Sequence, residues 1–335
     1  MLSRTADHLF WMARYIERAE NTARLLDVAY QMSLLPQSDE QVEHNWGSVL
    51  SITELRTLFD VYYDTLNAQN VLEFMMWDTF NPSSIYSCLG SARENAHAVR
   101  GKLTTEVWEM NNATWLELQQ LAKGRKKKNH DVTPFFEWVK FRSHLSRGVT
   151  IGTMLKDEAF YFNRIGTFLE RADNTARILD VKYHAVAHLS RTGGSKKKTN
   201  SVGAHHELPE LHGSDPYHDF YHWNALLRSV SAFEIYRRVY RDVIVPSRVA
   251  ELLILRADMP RSLAACLYEV VKHLNMVQNQ QSAETQRRAG LLKSELEFGR
   301  VSDILDQGLH AYLTGFLERV NDLGESISKD FLVPV

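Results

Sequence analysis

Apolar residues recur at three- and four-residue intervals along most of this chain, and the strict alternation of a half-buried strand is nearly absent. That period predicts helices over about 5–33, 46–67, 70–78, 83–99, 103–123, 134–147, 153–190, 217–242, 247–256, 261–277, 283–298 and 300–327. Two stretches interrupt it. Residues 123–130 hold Lys126, Lys127 and Lys128, and residues 192–215 hold Lys196, Lys197 and Lys198 followed by His205, His206 and His212. Both read as solvated loops, and without interleaved aromatic residues they do not point to nucleic acid.

The helical pattern occurs twice. Glu17, Arg18, Ala19, Asn21, Thr22, Ala23, Arg24, Leu26, Asp27, Val28 and Tyr30 recur as Glu170, Arg171, Ala172, Asn174, Thr175, Ala176, Arg177, Leu179, Asp180, Val181 and Tyr183. A second block follows in the same order. Val71, Glu73, Pro82, Ser84, Cys88 and Leu89 match Val249, Glu251, Pro260, Ser262, Cys266 and Leu267 at the same internal spacing. Trp46 and Trp223 correspond one residue out of step, and Glu318-Arg319 is a degraded third echo. Two ordered matches predict a tandem duplication. The expected fold is all-α: a helical bundle of two pseudo-symmetric repeats, 1–145 and 150–335, folding as one cooperative domain.

On a helical wheel at about 100° per residue, Trp11, Met12, Tyr15, Ile16, Ala19, Ala23, Leu26 and Tyr30 fall on one arc, the expected buried face. Arg14, Glu17, Glu20, Asn21, Arg24 and Asp27 fall opposite, with Glu20 and Arg24 in the favourable acid-first spacing of four. A solvated face needs only polar residues, yet both copies carry the same acid, amide and arginines. Three readings follow: a buried polar seam between the copies, a ligand or substrate site, and ordinary surface. A seam demands particular residues because each buried charge needs a hydrogen-bonded partner. The candidate polar site is Arg14, Glu17, Arg18, Glu20, Asn21, Arg24, Glu170, Arg171, Asp173, Asn174 and Arg177. Asn81-Pro82 and Met259-Pro260 read as helix starts with proline at the first helical position. Free N–H groups there favour anions, so Ser83 and Ser84 with Arg93 and Arg100 form a candidate anion site; helix caps with a polar face are the alternative.

Composition narrows the chemistry. A net charge of −2 over 335 residues gives no global footprint for nucleic acid or membrane. Met1-Leu2-Ser3-Arg4 lacks the pattern of a signal peptide, and a cytoplasmic protein is expected. Cys88 and Cys266 sit among apolar residues and read as buried free thiols. No phosphate loop, dinucleotide fingerprint, nucleophile elbow or Cys-x-x-Cys pair occurs, and no cofactor is expected. His218 and His222, four apart, are the best metal candidates, with a third ligand from His205, His206 or His212; no Glu follows the first His as in zincins.

At these residues the chain resembles the bacterial Alpha-E family, helical proteins named for a Glu-Arg motif. The resemblance rests on Leu2-Ser3-Arg4-Thr5-Ala6-Asp7, the run from Trp11 to Arg24, Asn81-Pro82-Ser83-Ser84-Ile85, Ala92-Arg93-Glu94-Asn95-Ala96, Val99-Arg100, Gly152-Thr153-Met154-Leu155-Lys156-Asp157-Glu158, Phe168-Leu169-Glu170-Arg171-Ala172 and Pro260-Arg261-Ser262. Ala13 stands where the family commonly has glycine and Lys156 where it has arginine. The resemblance implies a genomic setting beside circularly permuted ATP-grasp proteins and transglutaminase-like cysteine peptidases. An ATP-grasp amide ligase and a transglutaminase-like protein are therefore the expected partners, in a peptide-modification system. The expected role is a non-catalytic accessory or recognition protein. The alternatives are an enzyme acting on an amide or amino acid through Glu17, Glu170 and nearby arginines, and a self-associating structural protein.

Overall fold

Residues 3–33 contain neither proline nor glycine, and they form one unbroken helix, α1 (Ser3–Ser33), that stops short of Pro36. The computed structural model describes residues 1–34, 38–124, 131–192 and 216–332, and at 39–40, 181–192 and 216–221 it describes the backbone alone. After α1 come α2 (Asp39–Ile52), α3 (Arg56–Tyr62), α4 (Ala68–Met76), α5 (Ile85–Ala98), α6 (Thr105–Gly124) and α7 (Thr133–Thr153). Then follow α8 (Glu158–Thr192), α9 (Pro216–Ser229), α10 (Phe233–Tyr240), α11 (Pro246–Ile254), α12 (Leu263–Met276), α13 (Ala283–Phe298), α14 (Val301–Gln307) and α15 (Leu309–Phe331). No strand occurs among the described residues, so the fold is all-α.

Local chemistry sets the ends. Ser84 Oγ accepts the Ser87 N–H at 3.1 Å, and Ser262 Oγ accepts the Ala265 N–H at 3.0 Å, so these serines are the N-caps of α5 and α12. Pro82 and Pro260 therefore lie in the preceding turns, not at the first helical position. Asp157 starts α8 by accepting the N–H groups of Ala159 and Phe160 at 3.0 and 3.3 Å. Three expected helices are each split in two. The 46–67 span breaks at Glu54, with φ 56°, the 217–242 span at Ser231, with φ 56°, and the 300–327 span at Gly308, with φ 96°. A left-handed residue cannot continue a right-handed helix. The boundary expected between 145 and 150 falls inside α7, which runs unbroken from Thr133 to Thr153.

The two long helices α1 and α8 lie against each other at the centre and make the most extensive helix contact. They run parallel: Phe10 meets Gly166, and farther along Glu17 meets Arg171. α5, α7 and α9 pack on α1, while α12, α15 and α9 pack on α8. One continuous apolar cluster joins all of this, from Leu9 and Phe10 through Trp46, Cys88 and Phe136 to Leu179, Cys266, Phe316 and Ile327. Surrounding α1 on every side changes the meaning of its wheel. Trp11, Tyr15 and Tyr30, expected inside, are half-buried, whereas Glu17, Glu20 and Asn21 are 1%, 0% and 3% exposed.

Candidate functional site

Because α1 and α8 are parallel and nearly in register, each Glu-Arg pair faces the other. Arg171 donates through Nε and Nη2 to the two carboxylate oxygens of Glu17, both at 2.8 Å. Arg18 returns the contact, donating through Nε to Glu170 Oε1 at 2.5 Å and through Nη2 to Oε2 at 3.1 Å. Each is the two-pronged guanidinium–carboxylate geometry that lysine cannot reproduce. Arg14 adds a third donor to Glu170 at 2.7 Å.

The Glu17 side carries more. Arg261, in the turn before α12, reaches Glu17 at 3.0 Å, Asn21 Oδ1 at 2.9 Å and Glu20 at 2.5 Å. Arg147 of α7 bonds both Glu17 and Glu20, and Ser143 donates to Glu20 at 2.6 Å. Arg24 closes on Glu20 at 2.8 Å. Burial opposes the charge on all three carboxylates, but the guanidinium groups outweigh it. Arg171 and Arg261 hold Glu17 below its ordinary range, Arg261 and Arg147 hold Glu20 well below it, and Arg14 and Arg18 bring Glu170 down to about 2.

The remaining sequence candidates distribute as follows. Asp173 and Arg177 pair along α8 at 2.8 Å, and Arg177 also reaches Glu54 at the α2–α3 corner. Asn174 is half-buried beside them. The proposed anion group does not come together. Ser84 is spent as a cap, and the Ser83 N–H is bound by Asn81 Oδ1 at 2.9 Å. Arg93 lies about 13 Å farther along α5, where it bonds Asn112 at 3.3 Å and Glu94 at 2.7 Å. Arg100 is exposed in the short turn of 3₁₀ helix, Arg100–Lys102, beyond the end of α5. His222 is buried against Leu25 and Ala29 in the α1–α9 contact. His205, His206, His212 and the His218 side chain lie outside the described residues, as do Lys126–Lys128 and Lys196–Lys198. Among the described residues no three His, Cys, Asp or Glu side chains are gathered as metal ligands.

Arg147 and Arg261 were missed by sequence reasoning. Arg147 has no repeat signal, because the helix carrying it lies outside both matching blocks. Arg261 was visible as the residue that replaces Ser83 in the second block, an asymmetry that marks it out. Farther along α1 a groove of about 560 Å³ opens, lined by Arg24, Asp27, Gln31, Lys140, Asn224 and Arg228 among others. No described helix is long and apolar enough to cross a membrane.

Curated proteins and solved structures give no significant match to this chain. A family model does, over residues 1–332: Alpha-E, described as "a predicted alpha-helical domain with a conserved ER motif". With nearly its whole length matched, the chain belongs to the Alpha-E family.

Proposed function

We propose that this protein is a non-catalytic recognition or accessory component of an ATP-grasp amide-ligase system that modifies peptides, and that its two Glu-Arg pairs are the family motif acting as a structural clamp. The observation that carries this reading is the state of the three carboxylates. Glu17, Glu20 and Glu170 are 1%, 0% and 5% exposed, and each is gripped by at least two arginines. A general acid or base works best with a pKa near the operating pH and a path to its substrate. These carboxylates are held below that range and are themselves almost wholly covered, so the enzyme reading loses its best residues. The groove lined by Arg24, Lys140, Asn224 and Arg228 remains as accessible polar surface for recognition.

The clamp also supports descent from two copies of one unit, since each copy supplies the acid for the other's arginine. The first unit would then run to Thr153, the end of α7. The functional reading is tested by co-expressing the chain with an ATP-grasp amide ligase from the same genome. Co-elution as a stable complex is expected, with amide formation that requires the ligase's ATP site and survives Glu17→Gln wherever that variant folds. Amide-forming or amide-cleaving activity of the isolated chain, lost in Glu17→Gln, would overturn it.

A further inference from the structure

Two guanidinium groups lie over the ring of Phe168, Arg164 Cζ at 4.6 Å from its centroid and Arg171 Cζ at 5.2 Å. Their situations differ. Arg171 is fully engaged with Glu17. Arg164 is half-buried, and among the described residues it has no hydrogen bond and no ion pair. Burial first, then the Arg171 charge beside it, pushes its guanidinium down to about 10; Arg147 also repels it, and Glu269 and Glu17 attract it from farther than contact. A guanidinium stacked on a ring keeps its planar edge of N–H donors free. Leaving those donors unmatched in a half-buried place is costly.

The same region has a wider surplus of donors. Glu17 and Glu20 face Arg24, Arg147, Arg171 and Arg261, two carboxylates against four guanidinium groups, before Arg164 is counted. Asn21 is buried and its Nδ2 has no partner. His273 of α12 is 4% exposed, and its ring lies 6.4 Å from that of Phe168, tilted by 20°. Its Nδ1 has no partner, while its Nε2 lies 3.1 Å from Glu269 Oε2. The surplus is one-sided. Helix α7 buries Ser143, Ser146 and Thr150 beside Arg147, whereas α15, packed on α8, buries Leu313, Phe316 and Val320. Solvent still reaches the place, since the Arg147 side chain is 20% exposed.

We propose that Arg164 and Arg147, with the Phe168 ring supporting Arg164, bind an oxyanion: a carboxylate or phosphate group of a ligand arriving from solvent. The two arginines are linked through Arg171, which shares Glu17 with Arg147 and the Phe168 ring with Arg164. Arg147 spends Nη1 on Glu17, Glu20 and Ser143 and meets His144 Nδ1 through Nη2, so it contributes chiefly its Nε–H, while Arg164 contributes its whole edge. The site adds a ligand class to the recognition role and does not depend on which partner the protein has.

The test titrates the full-length chain, by calorimetry at constant ionic strength against chloride, with three probes. These are inorganic phosphate, a tripeptide with a free C-terminal carboxylate, and the same tripeptide amidated. Saturable binding of phosphate, of the free-acid peptide or of both is expected, with no response to the amide; the first two arms distinguish phosphate from carboxylate. Arg164→Met should weaken that binding roughly 10- to 100-fold, the worth of charge-assisted hydrogen bonds. Without ligand the variant should melt no lower than the parent, because it removes a half-buried charge that has no partner. Absence of saturable anion binding, undiminished binding by Arg164→Met, or a lowered melting temperature of that variant would each overturn the proposal.

Discussion

Gly166 of α8 lies directly against the backbone of Phe10 in α1: a Cβ placed on Gly166 would sit 2.3 Å from the Phe10 carbonyl oxygen. That approach brings the two long helices close enough for their Glu-Arg pairs to interlock one to two turns farther on. Alanine in place of glycine inside a helix ordinarily stabilises by about 1 kcal/mol. Here Gly166→Ala must push two backbones apart, and a loss of about 1–3 kcal/mol is expected. Urea unfolding measures it, and a more stable variant would contradict the close contact.

The charge network predicts a particular acid response. Glu170 ordinarily titrates at 4.5 and is held at about 2 in the fold. A depressed carboxyl stabilises the fold fully above its unfolded pKa and loses that contribution as pH falls from about 4.5 to about 2. The contribution near neutrality is roughly 3 kcal/mol. Glu170→Gln should therefore be less stable at pH 7, and its stability should fall less steeply over that acid window. Urea midpoints across a pH series report both, and parallel curves for parent and variant would refute the assignment.

Cys88 and Cys266 are both 0% exposed and free. Burial pushes each thiol up to about 12, so little thiolate forms near neutral pH. A thiol reagent at pH 8 should leave the native chain unlabelled and modify both cysteines in denaturant. Immediate labelling of the native protein would contradict their placement.

Although the capping of α5 and α12 by Ser84 and Ser262 was displaced onto Pro82 and Pro260, much of the fold could be read from the sequence because helical period and proline stops act locally. The breaks at Glu54 and Ser231 could not, since neither residue favours a left-handed conformation and the tertiary setting imposes it. Likewise the repeated Glu17-Arg18 and Glu170-Arg171 were visible, whereas their reciprocal pairing was not. Spacing along a helix fixes which residues share a face, not which helix that face meets or whether the two run parallel. A wheel separates a polar arc from an apolar one but not a solvent-facing polar arc from a buried seam, and it is the enclosure of α1 by its neighbours that buries Glu17, Glu20 and Asn21. Arg18 and Arg171 occupy matching positions of the repeat, yet the Arg18 side chain is 26% exposed and that of Arg171 is 9%. Arg18→Ala should therefore cost less than Arg171→Ala in the same melt, because water can reach the group left behind by the more exposed arginine.

If the Glu-Arg pairs are a structural clamp, Glu17 and Arg171 must be energetically coupled, and a double-mutant cycle measures that coupling. Glu17→Gln, Arg171→Met and the double variant would be compared with the parent by urea unfolding at pH 7. Each single change leaves buried charge short of a partner, although Arg261 and Arg147 still reach Glu17 when Arg171 is lost. The double variant should then be more stable than the two single losses combined imply, with a coupling energy of about 2–3 kcal/mol. Effects that simply add, to within about 0.5 kcal/mol, would contradict the clamp.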